Sequence, residues 1–244
     1  MNHMALIGKK LSHSFSKQYF DERFRAEGRT DCEYSLCEMP TVDHIRQWVV
    51  DRHVIGFNVT NPFKVDIMAH LDIVDPVASR IGAVNCVTVE DGKLVGHNTD
   101  AAAFGNTLDI ASGTRALILG TGGAAAAVAY ALREKGIIFW HVSRTPQHHP
   151  GAMSYAEAAE VLADISLLVN ATPVGTWPDS DRSPWPWPEN FHHGMLVYDL
   201  VYNPSPTRLM RQAADHGART TDGLAMLHRQ ASLSWEFYLP HLHP

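Results

Sequence analysis

The chain has little cysteine and little charge, and each scarcity excludes something. Cysteine occurs three times, as Cys32, Cys37 and Cys86. An odd, scattered set with no CxxC pair provides no disulfide framework, and it fits a reducing compartment, so a cytoplasmic location is expected. Charged residues make up 19% of the chain and leave a formal net charge of -6. Without a basic excess there is no electrostatic footprint for nucleic acid. No run of about 18 apolar residues is present, so no membrane span is expected. Lys9 and Lys10 are followed by no long apolar stretch, and no signal peptide is expected either.

What is present suits a globular fold. Hydrophobic residues make up 45% of 244 positions, enough for a sizeable core in one or two domains. Short strands alternate with helices. In the first half, strands are predicted over 5–8, 33–38 and 54–59, and helices over 16–27 and 42–50. Gly28 follows as a helix cap. Residues 84–98 read as a hairpin turning at Asp91-Gly92, a pair suited to a type I′ connection. In the second half, 115–119 is a continuous apolar strand, as in a buried parallel sheet. Helices are predicted over 124–135, 155–163, 205–216 and 224–239, with strands over 137–142, 165–169 and 195–200. This alternation implies a doubly wound α/β sheet. The segment 177–188 holds four of the 14 prolines and three of the six tryptophans, and reads as a surface loop with aromatic anchors rather than a polyproline ligand.

Gly120-Thr121-Gly122-Gly123-Ala124-Ala125 fits G-x-G-x-x-A between a strand and a helix, the context that a dinucleotide loop requires. Gly120 permits the tight turn, Gly122 lets the backbone approach a pyrophosphate, and Ala125 keeps the helix close to the strand. Free N–H groups and the helix dipole favour the anion. The next strand is followed by Ser143-Arg144-Thr145, about 20 residues on, where an NAD enzyme places an acid. No acid stands there. Arg144 can pair bidentately with the 2′-phosphate of NADP, and Ser143 and Thr145 can donate hydroxyls; the bland alternative is a solvated arginine.

Polar clusters gather in the first half. Ser12-His13-Ser14-Phe15-Ser16 lies where a strand turns into a helix, and its hydroxyls can bind a carboxylate or cap the helix. Asn58-Val59-Thr60-Asn61-Pro62-Phe63-Lys64 closes a strand with a lysine just past it. Gly82-Ala83-Val84-Asn85 and Gly96-His97-Asn98-Thr99-Asp100 add amides and an acid. A lone lysine is usually a solvated charge. A lysine and an aspartate each at a strand end, ahead of a cofactor domain, are less readily read as solvated charges.

Taken in order with Ile81-Gly82-Ala83-Val84-Asn85, Asn170-Ala171-Thr172-Pro173-Val174-Gly175, Tyr198-Asp199-Leu200-Val201-Tyr202-Asn203-Pro204 and Asp222-Gly223-Leu224-Ala225-Met226-Leu227…Gln230-Ala231, these pieces resemble the shikimate dehydrogenase family from residue 8 to about 231. The resemblance implies reversible hydride transfer between NADPH and 3-dehydroshikimate, giving shikimate on the route to chorismate and the aromatic amino acids. It implies an N-terminal α/β substrate domain, 1–100, rejoined by the C-terminal helix 224–244, and a Rossmann-type NADP domain, 101–223. By the same resemblance Lys64 and Asp100 flank the reacting oxygen. Ser14 and Ser16 hold the substrate carboxylate, and Thr60, Asn85, Tyr202 and Gln230 hold its carboxylate or ring hydroxyls. The cofactor residues are Gly120, Thr121, Gly122, Gly123, Ala124, Ser143, Arg144 and Thr145, with Ala171, Thr172, Leu200 and Gly223 on the nicotinamide side. Partners are expected to be the small substrate alone, on a monomer or homodimer.

The family pattern is broken at Lys10, where proline is common, at Ala101-Ala102-Ala103, where glycine is frequent, and at Cys86, which replaces a threonine and reads as a packed thiol. None removes a proposed catalytic group, but together they leave room for quinate or an aminated shikimate analogue as substrate. A silent NADP-binding sensor is the non-enzymatic alternative, and the Lys64–Asp100 pair argues against it. The 15 histidines show no HExxH or Cys/His spacing, so no metal is expected.

Overall fold

Short apolar strands pair into two sheets in the computed structural model, which describes residues 1–12 and 14–243. His13 of the serine cluster lies outside them. The chain divides into two compact units. One runs from Met1 to Ala103 and takes in the C-terminal stretch from Leu227; the other is Phe104–Met226. Both crossings lie inside helices.

The first unit holds β1 (Asn2–Gly8), α1 (Ser16–Ala26), β2 (Cys32–Glu38), α2 (Ile45–Arg52), β3 (Val54–Val59), β4 (Ile73–Val74), α3 (Pro76–Ile81), β5 (Cys86–Glu90) and β6 (Lys93–His97), and α4 (Asp100–Thr107) begins in it. Its sheet runs β2-β1-β3-β5-β6-β4 and is mixed, with β5 antiparallel to β3 and β6. The β1 side chains alternate between two cores, Ala5 and Ile7 on one face, Met4 and Leu6 on the other, so the sheet is covered on both faces. Asp91 and Gly92 both take positive φ, 49° and 76°, as the expected hairpin turn demands. The helix expected over 42–50 sits later, and His53 ends it in the left-handed region.

The second unit holds β7 (Arg115–Leu119), α5 (Gly123–Glu134), β8 (Ile138–Val142), α6 (Tyr155–Val161), β9 (Leu167–Asn170), β10 (Leu196–Asp199), α7 (Arg208–Asp215) and β11 (Arg219–Thr221). Its strands are all parallel in the order β11-β10-β9-β7-β8, the doubly wound arrangement expected. Ser154 caps α6 reciprocally with Glu157. In the segment 177–188 Trp185 is buried in the unit's core, with Trp187 packed beside it, so the segment is anchored by aromatics. The last helix, α8 (Leu224–Tyr238), buries Ala231, Trp235 and Tyr238 against β1 and α1, while Leu227 is only half-buried.

Candidate active site

In the first unit, two strand ends deliver opposite charges to one point. After β3, Thr60 donates its N–H to Ile7 and Phe63 donates to Thr60, closing the turn that presents Lys64. After β6, the Asn98 side chain donates to the Ala83 carbonyl and accepts from the Ala101 N–H, which opens α4 at Asp100. A carboxylate in the first turn of a helix is favoured by the dipole. Lys64 Nζ donates to Asp100 Oδ2 at 2.6 Å, with side chains only 18% and 7% exposed.

Asn85, between these strand ends, spends its amide on the same cluster. Its Nδ2 donates to Thr99 Oγ1 and to Asp100 Oδ1, each at 2.9 Å, while its Oδ1 accepts the Thr99 N–H at 2.7 Å. One carboxylate oxygen therefore faces the amide and the other faces the ammonium. Lys64 is left as a cationic donor held in place, able to give a proton to a developing alkoxide and to stabilise it.

The other expected substrate residues come from different elements. Ser14 Oγ accepts the Ser16 N–H at 3.2 Å, but the N-cap of α1 is Phe15 and no side chain caps the helix; Ser16 is buried. Gln230 donates to the Leu227 carbonyl of its own helix, and its carbonyl accepts from Ser234. Thr60 is half-buried, with its methyl group pressed against Gly8. Tyr202 belongs to the second unit, also half-buried.

Behind the cluster is a network that sequence reasoning missed. Ser234 Oγ contacts Thr99 Oγ1 at 3.3 Å and accepts from Asn58 Nδ2 at 2.8 Å. Asn58 Oδ1 in turn accepts the hydroxyls of Tyr34 and Tyr238. The one available signal was position: Ser234 lies four residues after Gln230, on the same helix face. Cys86, beside them, is fully buried, and burial pushes its thiol up to about 12, which agrees with a packed thiol. Lys10 is exposed, Ala101 and Ala103 are buried within α4, and Ala102 faces solvent.

In the second unit, Gly120 has φ of +109°, and a Cβ there would lie 3.2 Å from Thr172 Cγ2 and 3.4 Å from the Ala171 carbonyl oxygen. Only glycine suits both the backbone and this approach. Gly122 caps α5 without a side-chain bond, and a Cβ added to it meets nothing within 4 Å. The space beside Gly122 leaves room at the start of α5, where leading helix amides suit a pyrophosphate. Past β8, Ser143 Oγ accepts the Thr145 N–H at 3.1 Å, and Arg144 between them is exposed. Among the described residues Arg144 has no ion-pair partner, so the guanidinium is available to a phosphate.

Asp199 organises the loops expected on the nicotinamide side and was not singled out from sequence. Its carboxylate accepts from Asn170 Nδ2 at 2.8 Å, the Val201 N–H at 3.0 Å and Thr207 Oγ1 at 2.7 Å. Burial pushes its pKa up to about 6 against these hydrogen bonds. Asn170 Oδ1 accepts from the Thr172 N–H and hydroxyl, which fixes Ala171-Thr172. Gly223 lies directly on Leu200, whose carbonyl a Cβ at 223 would strike. Among the described residues no group of three His, Cys, Asp or Glu converges as a metal site.

The chain is similar to known proteins over nearly its whole length. The family model of the shikimate dehydrogenase substrate binding domain matches residues 6–87. A shikimate dehydrogenase (NADP(+)) of Thermus thermophilus is 43% identical over 252 residues, covering 98% of this chain and 92% of the relative. A crystal structure of shikimate 5-dehydrogenase from another strain of Thermus thermophilus, in complex with NADP(H) and shikimate, is 35% identical with a TM-score of 0.85, covering 100% of this chain and 95% of that one. A quinate dehydrogenase from Corynebacterium glutamicum in complex with NAD is 25% identical with a TM-score of 0.84, covering 98% of this chain and 94% of that one.

Proposed function

The chain belongs to the shikimate dehydrogenase family, and on that premise we infer that it is an NADP-dependent oxidoreductase interconverting 3-dehydroshikimate and shikimate in the biosynthesis of aromatic amino acids. The observation that carries the reading is the Lys64–Asp100 pair at 2.6 Å, locked by Asn85. A binding module needs no shielded proton donor held by a carboxylate.

The bound nicotinamide supplies the hydride in reduction and receives it in oxidation. The protein's part is the proton. Lys64 donates from Nζ to the ketone oxygen as it gains charge, and takes the proton back from the hydroxyl in the reverse direction. Asp100 keeps the ammonium aimed and stabilises its charge between turnovers. Asn85 keeps one carboxylate oxygen occupied, so that the other stays turned to Lys64. Ser14 and Ser16 offer hydroxyls to the substrate carboxylate, with Thr60, Tyr202 and Gln230 as further partners for its polar groups. The open start of α5 at Gly122 and the exposed guanidinium of Arg144 fit a pyrophosphate and a 2′-phosphate respectively. Ala171, Thr172, Leu200 and Gly223 would hold the nicotinamide. The three cysteines are unpaired, which suits work in the cytoplasm, as a monomer or homodimer.

An NADP reduction assay with shikimate tests the reading, repeated with NAD and with quinate. Turnover fastest with shikimate and NADP is the expected result. A quinate preference would move the chain toward the specificity named for the Corynebacterium relative, and tight NADP binding with no turnover on either acid would make it a sensor.

A further inference from the structure

The loop that follows β1 carries the two serines assigned to the substrate carboxylate, so whatever fixes its course bears on binding. At its start the Lys9 N–H reaches the Asn61 carbonyl only at 3.4 Å. Lys9 and Lys10 are exposed, and Lys10 leaves the loop without the fixed φ that a proline would give it. The firm point is Leu11. Its side chain is buried and packs in the core that holds Phe20 and Phe24 of α1. It also lies against Gly8, where an added Cβ would come within 2.7 Å of Leu11 Cδ2.

The Leu11 backbone is gripped at both of its polar groups. Its carbonyl accepts the Ser14 N–H at 2.9 Å. Its N–H donates to Glu38 Oε1 at 2.7 Å. Glu38 is the last residue of β2 and stands opposite Gly8 in the parallel register, so strand pairing carries it to the start of the loop. Met39 secures this end by donating its N–H to the Gly8 carbonyl at 3.0 Å. Glu38 is exposed, and Lys9 and Lys10 are the cations of the loop beside it. Among the described residues neither pairs with it, and its carboxylate goes to the Leu11 amide instead. A carboxylate accepts such a bond more strongly than a neutral carbonyl does. From Leu11 the path continues through Ser14, whose Oγ accepts the Ser16 N–H at 3.2 Å.

We propose that Glu38 is a positioning residue for substrate binding: by holding the Leu11 N–H it sets the place of Ser14 and Ser16, and with it the affinity for the substrate's carboxylate. This deepens the substrate reading above and rests on it. Glu38 acts through the loop and not on the reacting atoms. Without it the loop samples more conformations, and each substrate molecule must then order it on binding. The substrate's carboxylate is not the group that reacts, so binding suffers more than the chemical step.

Steady-state kinetics on the intact chain, with shikimate and with its methyl ester, tests this beside a thermal melt. The variants are Glu38→Ala and Glu38→Gln, whose exposed position leaves the core untouched. Glu38→Ala is expected to raise KM for shikimate about tenfold, the loss of one charge-assisted hydrogen bond, with kcat within about threefold and KM for NADP+ within about twofold. Glu38→Gln keeps an oxygen acceptor for the amide and should recover most of that loss. The ester has the same ring hydroxyls without the charged carboxylate. Its affinity, read as KM or as inhibition of shikimate turnover, should stay within about twofold in Glu38→Ala. Equal losses for acid and ester would make Glu38 a general strut and overturn the proposal. An unchanged KM for shikimate in Glu38→Ala would overturn it too. If the unaltered chain neither bound nor turned over shikimate, the substrate reading itself would fall, and this proposal with it.

Discussion

At the scale of single residues, the proposed chemistry depends on one ammonium. Lys64→Ala should lower turnover by roughly 10²–10⁴-fold, the usual loss for a general acid–base, and disturb KM for shikimate far less. Steady-state kinetics beside a thermal melt checks this, and near-normal turnover in a folded variant would remove Lys64 from the mechanism. Arg144→Ala should weaken NADP+ and leave NAD+ nearly unaffected, as measured by fluorescence titration, because its proposed partner is the phosphate that only NADP carries. Equal weakening of both would reject that role. Lys64 and Asp100 were legible in sequence because each closes a strand within an ordered polar motif. The use of Asn85 was not. Its Nδ2 donates to both Thr99 and Asp100, contacts that no spacing in the sequence announces.

At the scale of elements, Asn58 ties three parts of the first unit together. From β3 it reaches Tyr34 on β2, and Ser234 and Tyr238 on α8, with a further bond to the Asn85 carbonyl. Asn58→Ala leaves several buried polar groups without their partner, so a loss of about 3 kcal/mol is expected in urea unfolding. Turnover should fall as well, because Ser234 also touches Thr99 beside Asp100. A change within about 0.5 kcal/mol, the range of ordinary surface substitutions, would show that the network is incidental. The elements read from sequence were those whose own side chains define them. Residues 115–119 are buried except at their first position, and the Asp-Gly turn needs positive φ. Those missed draw on distant partners. β4 is two residues long and exists through pairing with β6, and β11 through pairing with β10. α3 carried a local signal that went unread, Asp75 as cap with Pro76 in the first turn. The His149–Thr121 contact spans 28 residues and follows from no periodicity.

At the scale of the whole molecule, acid should act on the two units in opposite senses. In the second unit, burial raises Asp199 from 3.8 to about 6. A carboxyl whose folded pKa lies above its unfolded one binds protons more tightly when folded. Its contribution is full below the unfolded value and is lost as pH rises through about 6. In the first unit, Asp75 is held below its usual range. Burial opposes this, but the hydrogen bond from His97 and the N–H groups of Ala78 and Val77 outweigh it. Asp72 is lowered too, chiefly by its hydrogen bond from Arg46. Those contributions are present above the unfolded value and are lost as pH falls through the lowered ones. Going from pH 7.5 to 5 should therefore firm the core of the second unit by about 1–3 kcal/mol, the order set by Asp199's shift. Below about pH 4 the first unit should loosen as its depressed carboxylates are protonated. Hydrogen exchange corrected for intrinsic rates can follow β7, β9 and β10 separately from β1 and β3. Asp199→Asn should abolish the gain between pH 7.5 and 5 without altering the acid response of β1 and β3. If protection of β9 and β10 fell on going to pH 5, or if the variant kept the full gain, the buried carboxyl would not be the group that governs this unit.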